Sequence, residues 1–283
     1  MITDVPGVLV GHWTDVEART GCTVVVFPKG SVASGEIRGG APATREFALL
    51  DPLRTVATID AVVLSGGSAF GLAAGTGVVE WLEEQGRGFK TAHGRVPIVV
   101  GMSLYDLGVG DGLVRPTAAN GRAAAESASS EPGQLGSIGA GTGATVGKWA
   151  GRDLATPGGL GAATYRSGEL IVSALIAVNA VGFIDDGTSV ADIGPPASST
   201  PTDPTNTTIG VIVTNAKADK TLCHWLAQSG HDGLSRSLLP AHTSADGDAL
   251  VAVATGEVEA DSFHLRLLAQ QAVAAAVRSL ATH

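Results

Sequence analysis

Cysteine is almost missing from this chain. Only Cys22 and Cys223 occur, far apart, which excludes a disulfide framework and any zinc site built on closely spaced cysteines. A reducing compartment is expected. Positive charge is also scarce: 18 Lys+Arg against 27 Asp+Glu leave a formal net charge of -9. Such a chain repels phosphate backbones and anionic lipid, so no nucleic acid and no membrane surface is expected as a partner, and a small neutral or cationic molecule fits better. No segment approaches ~18 uninterrupted apolar residues, and the first residues carry no basic stretch followed by an apolar run. Neither a membrane span nor a signal peptide is expected, and a cytoplasmic location follows. The histidines, His12, His93, His224, His231, His242, His264 and His283, show no pair at metal-ligand spacing on a convincing helix. The tightest pair, His224 and His231, reads as helix and loop surface. No metal and no cofactor is expected.

What the chain has in plenty is apolar residues, 44% against 16% charged, enough for a thick core in one domain of 283 residues. Short β-branched runs at 7–10, 23–27, 61–64, 97–100, 170–178, 209–214 and 249–254 read as buried strands. Apolar spacing of three and four predicts helices over 71–85, 117–129, 218–229 and 262–282. Helices and strands contribute comparably, which makes this an α/β protein. Glycines cluster where strands meet loops, as in Ser65-Gly66-Gly67-Ser68 and the run 139–143, and imply close backbone approach there. Residues 194–205 hold four prolines among hydroxyl residues and predict a mobile surface loop. A strand follows at once, so Thr207 stands at a loop-to-strand junction.

A threonine hydroxyl is a poor nucleophile until a base takes its proton, and its own α-amine serves once the residue becomes a chain terminus. An amine with a pKa of roughly 7.7–8.0 suits that task. Cutting the bond between Asn206 and Thr207 would create such a terminus. From the residues alone, a polar loop residue that merely starts a strand remains the alternative.

Six ordered segments change the weighing: VPGVLVGH, LSGGSAFGLAAGTGV, GTGATVGKW, AVNAVG, NTTIGVIVTNA and HTSADGDALVAVATGE. Across nearly its whole length the sequence resembles the L-aminopeptidase/D-esterase family, which includes β-aminopeptidases and nylon-oligomer hydrolases. The resemblance implies a four-layer αββα sandwich, similar in architecture to N-terminal-nucleophile hydrolases and the fold-related ornithine acetyltransferases. It implies self-cleavage between Asn206 and Thr207 of the single domain 1–283, giving fragments 1–206 and 207–283. It further implies that Thr207 attacks a small amide or peptide substrate, that Lys148 lowers the terminal amine's pKa and helps hold the oxyanion, and that Asn179 and Tyr105 support the oxyanion. Members are similar to tetramers of cut protomers, so a homo-oligomer is expected.

Asp246 and Asp248 lie two apart before a strand, share one face if strand geometry reaches back that far, and then orient the amine together. The Asp/Asp pair is most similar to that of the nylon-oligomer hydrolases. A calcium loop is the competing reading, but Leu250 and Val251 stand where such a loop needs an oxygen ligand and a glycine. The turn Gly66-Gly67-Ser68 before a helix resembles an anion cradle and is a candidate substrate-binding element; as a dinucleotide motif its glycine spacing fails. Two other functions stay in view: an uncut, non-catalytic small-molecule-binding protein, and an acyltransferase that needs an acceptor other than water.

Overall fold

Along the strand Leu170–Asn179 every residue is buried. Ile171, Leu175 and Ala177 join one apolar cluster, whereas Val172, Ala174, Ile176 and Val178 join another. A strand apolar on both faces needs cover on both, and that requirement builds the layers. The computed structural model describes residues 1–188, 194–197 and 205–281. In chain order its principal strands are β1 (Leu9–Asp15), β2 (Thr20–Val26), β3 (Val32–Ile37), β4 (Ala43–Arg45), β5 (Ala61–Ser65), β6 (Val99–Ser103), β7 (Gly159–Ser167), β8 (Leu170–Asn179), β9 (Thr207–Ala216) and β10 (Ala249–Val258). They form two five-stranded sheets, ordered β1-β2-β5-β6-β4 and β7-β8-β9-β10-β3.

Three apolar clusters fill the spaces between four layers. The first packs the sheets face to face, with Val25, Leu64 and Met102 meeting Leu175, Val211 and Val251. The second covers the outer face of the second sheet with α3 (Lys220–Ser235) and α4 (Ser262–Arg278), through Leu226, Leu265 and Val273. The third covers the first sheet with α1 (Ala74–Glu84) and α2 (Ala118–Glu126), through Val78, Leu82 and Ala124. The expected αββα sandwich is present. Asp219 and Asp261 start α3 and α4 by accepting the backbone N–H of Leu222 and His264, as N-cap carboxylates do.

Several boundaries differ from the expectation for physical reasons. The predicted helix over 71–85 is a four-residue turn, Ser68–Gly71, followed by α1. Strand β3 was not foreseen because Ser34, Gly35 and Glu36 break its apolar run; Gly35 is required there, since a Cβ would lie 2.7 Å from the Phe47 ring. Strand β7 is rich in glycine and alanine, and its β character comes from pairing with β8 across a tight turn at Gly168, which has a left-handed φ of 60°. The predicted mobile loop over 194–205 falls largely on 198–204, and the end of the predicted C-terminal helix falls on 282; these lie outside the described residues.

The topology of the second sheet positions the site. Strand β9 runs antiparallel to β8, pairing Thr207 with Asn179, and parallel to β10. The end of β8 therefore meets the starts of β9 and β10 at one end of the sheet. An isolated bridge between Asn206 and Asp246 keeps the parallel register three residues further outward.

Candidate active site

Thr207 is 4% exposed and donates its hydroxyl hydrogen to the carbonyl oxygen of the residue before it, Asn206. The same oxygen accepts the backbone N–H of Gly247 at 2.8 Å. Gly247 is dictated by space: a Cβ there would stand 2.5 Å from the Ala41 carbonyl oxygen and 2.8 Å from the Thr207 hydroxyl. The Asn206 carbonyl is thus polarised by one donor while a hydroxyl lies against it.

Lys148 is buried, 5% exposed. Its ammonium donates to Oδ1 of Asn206 at 2.9 Å and to Oδ1 of Asn179 at 3.0 Å. Burial pushes its pKa down to about 7, opposed by the charge of Asp246 and assisted by that of Arg152. Asn179 is fully buried, and its orientation is set by its neighbours. Oδ1 faces only donors, Lys148 and the Thr145 backbone N–H at 3.0 Å, while Nδ2 donates to the Tyr105 carbonyl at 2.9 Å. Tyr105 therefore meets Asn179 through its main chain.

The two aspartates flank Gly247 and are both 1% exposed. Asp246 accepts the Val181 N–H on Oδ1 at 3.2 Å, and the Thr243 N–H and hydroxyl on Oδ2 at 3.1 and 2.5 Å. Burial and the neighbouring charge of Asp248 raise its pKa to about 6. Asp248 accepts the Thr208 N–H at 2.7 Å on one oxygen and the His242 ring at 2.8 Å on the other. The Asp248 carboxylate is thereby fixed on the backbone just after Thr207, while Asp246, whose main chain pairs with Asn206, has its carboxylate held by Val181 and Thr243.

A cavity of about 260 Å³ opens over this cluster, lined by Tyr105, Val109, Thr145, Lys148, Arg152 and Thr205 among others. Lys148 links its floor to the buried groups. Gly66, Gly67 and Ser68 are not among its lining residues. The Gly67 N–H is already engaged by Asp106 at 2.7 Å, and a Cβ on Gly66 would lie 2.0 Å from that same carboxylate. The turn cradles an anion, but the anion is the chain's own Asp106.

The structure thus brings together Thr207, Asn206, Lys148, Asn179, Asp246 and Asp248, with Tyr105 at the cavity. Sequence reasoning missed Gly247, Thr145, Thr243 and His242. Gly247 and His242 lie inside the segment that carried the aspartates, which was the available signal. His231, expected at the surface, is fully buried and donates its Nε2–H to the Glu36 carbonyl oxygen at 2.9 Å.

A sandwich of this kind with a buried threonine at a strand start, a lysine and an amide beside it, defines the class of N-terminal-nucleophile amide hydrolases. Residues 1–282 match the description of peptidase family S58, and the chain belongs to that family. It is a self-processing hydrolase of peptide or amide bonds. It is 42% identical over 295 residues to an uncharacterized aminopeptidase of Mycobacterium leprae (strain TN), spanning 92% of this chain and 79% of that protein. It is 33% identical over 284 residues to a 6-aminohexanoate-oligomer endohydrolase of Agromyces sp. (strain KY5R), spanning 90% of this chain and 75% of that protein. Among solved structures, the L-aminopeptidase D-Ala-esterase/amidase of Ochrobactrum anthropi, described as a variant of the Ntn hydrolase fold, matches with a TM-score of 0.76 at 22% identity. The match covers 99% of this chain and 85% of that one, and it establishes the fold. A non-catalytic binding protein is not favoured.

Proposed function

We propose that this chain cuts itself between Asn206 and Thr207 and that the freed Thr207 hydrolyses small amides or peptides through an acyl-threonine ester. The observation that carries the reading is the pair of donors on one oxygen, the Thr207 hydroxyl and the Gly247 N–H, both directed at the Asn206 carbonyl.

In the self-cleaving step the Thr207 oxygen attacks the Asn206 carbonyl carbon, and the Gly247 N–H stabilises the charge that develops on the carbonyl oxygen. The C–N bond breaks, an ester to the Thr207 oxygen forms, and the hydroxyl proton ends on the released amine. Water then hydrolyses the ester, leaving Asn206 as a carboxylate and Thr207 as an N-terminus. In turnover that amine is the general base for the Thr207 hydroxyl. Lys148 favours the neutral amine by its charge and, with Asn179 and Tyr105, supports the oxyanion. Asp246 and Asp248 orient the amine. Gly67 acts indirectly, by holding Asp106 next to Tyr105 through its N–H, and Gly66 by leaving room for that carboxylate, while the Ser68 N–H binds the Leu104 carbonyl.

The substrate enters the cavity over Lys148 and presents an amide carbonyl. The relatives' names span aminopeptidases and an oligomer endohydrolase, so an amino-acid amide, a short peptide and an aminohexanoate oligomer are the classes to compare. A homo-oligomer of cut protomers in the cytoplasm belongs to the same reading. It is supported by exposed Phe263 and Leu267 on α4, by two free, buried cysteines, and by the lack, among the described residues, of a helix long and apolar enough to cross a membrane.

The test is a substrate panel of aminoacyl p-nitroanilides, dipeptides and aminohexanoate oligomers, run on wild type and Thr207→Ser. Both are expected to turn over one class and to show a transient acyl adduct on the fragment beginning at residue 207. An adduct on any other residue would contradict the assignment.

A further inference from the structure

Of the groups around the site that the proposed chemistry leaves unused, His242 has the most constrained surroundings. Its ring Nδ1 lies 2.8 Å from Oδ2 of Asp248, and its own backbone N–H reaches the same oxygen at 3.1 Å. That double contact depends on a left-handed backbone, φ 56°, which a non-glycine residue adopts only when its surroundings enforce it. At the other edge of the ring, Nε2 lies 3.2 Å from the His231 carbonyl oxygen. A carboxylate and a carbonyl only accept, so both ring nitrogens must donate for both contacts to form. That state is the imidazolium. The charged and titratable groups facing the ring are Asp248, the His231 ring at 4.8 Å between centroids, and Arg38, which is itself paired with Glu36 and Asp232. His231 is held neutral by burial, its pKa pushed down to about 4, so it does not compete for the proton. Burial disfavours a charged His242, but its hydrogen bond and charge interaction with Asp248 more than offset this and raise its pKa.

We propose that His242 is a positioning residue of this active site: as an imidazolium it holds the Asp248 carboxylate oriented toward the Thr208 N–H, next to the nucleophile, and balances the charge of the Asp246/Asp248 pair. The inference rests on the function proposed above. Its consequence is electrostatic. Without the cation, the charge that Asp248 places beside Asp246 is left uncompensated, Asp246 becomes harder to ionise, and the proton-dependent loss of activity moves to higher pH.

The experiment compares His242→Gln with wild type. Glutamine retains a donor for Asp248 but never carries charge. The acid limb of kcat/KM is expected to move up by roughly one unit, about a tenfold loss at pH 6 that narrows toward alkaline pH, where the wild-type ring is neutral too. A lower melting temperature with superimposable pH profiles would reduce His242 to a structural role and overturn the proposal. Wild-type protein offers an independent reading through ¹⁵N spectra of labelled histidine. One ring is expected to stay doubly protonated above the ordinary histidine range; if every ring titrates at or below that range, the proposal falls. Failure of the underlying function is distinguishable, because a wild-type chain that is uncut or inactive has no acid limb to compare.

Discussion

Gly247 donates its backbone N–H to the carbonyl oxygen of Asn206 at 2.8 Å, across the junction where two parallel strands begin. Strand pairing thus supplies the donor that self-cleavage needs, with no side chain involved. Replacing Gly247 by alanine pushes a methyl group against the Ala41 carbonyl and the Thr207 hydroxyl, at 2.5 and 2.8 Å. Gly247→Ala is expected to slow self-cleavage by roughly 10²-fold, the usual loss when an oxyanion donor is displaced. A time course of the uncut chain on denaturing gels checks this.

Lys148 couples pH to both stability and turnover. Its folded-state pKa of about 7 lies below its ordinary 10.5, so between those values the unfolded chain holds a proton that the folded chain has released. Stability from this group therefore rises with pH across that window, and Lys148→Met is expected to flatten that rise in urea unfolding measured from pH 7 to 10. The same substitution is expected to slow self-cleavage and turnover by roughly 10²-fold, since the donor to the side chains of Asn206 and Asn179 is gone.

Asp246 titrates in the opposite sense. Its pKa is raised from 3.8 to about 6, so between those values the folded chain holds the extra proton and stability falls as pH rises. Activity that needs the carboxylate is lost as pH falls through about 6. Both of its oxygens face donors only, from Val181 and Thr243, so an amide cannot replace it without opposing one of them. Asp246→Asn is expected to destabilise by about 1–3 kcal/mol in chemical denaturation.

The layers were largely legible in the sequence because strands such as Leu170–Asn179 and Thr207–Ala216 are buried on both faces and read as continuous β-branched runs. Strands β3 and β7 were not, because Gly35 and the glycines of β7 serve close packing and pairing rather than any local pattern. Thr207, Lys148, Asn179 and the aspartates were found through the ordered family-like segments, and no local property of a lysine or an asparagine would have placed them in contact. His242 escaped because its chemistry comes from its partners: a carboxylate on one nitrogen and a carbonyl on the other. The Gly66-Gly67-Ser68 turn was recognised as an anion cradle, but its anion, Asp106, is distant in sequence.

Scission ahead of Thr207 is decided by intact mass spectrometry of freshly purified wild type beside Thr207→Ala. Wild type is expected to give two masses, for 1–206 and 207–283, with the smaller fragment beginning Thr-Thr-Ile-Gly, and the variant a single inactive species of 28.3 kDa. A fully active wild-type preparation consisting of one unbroken 28.3 kDa chain would contradict it.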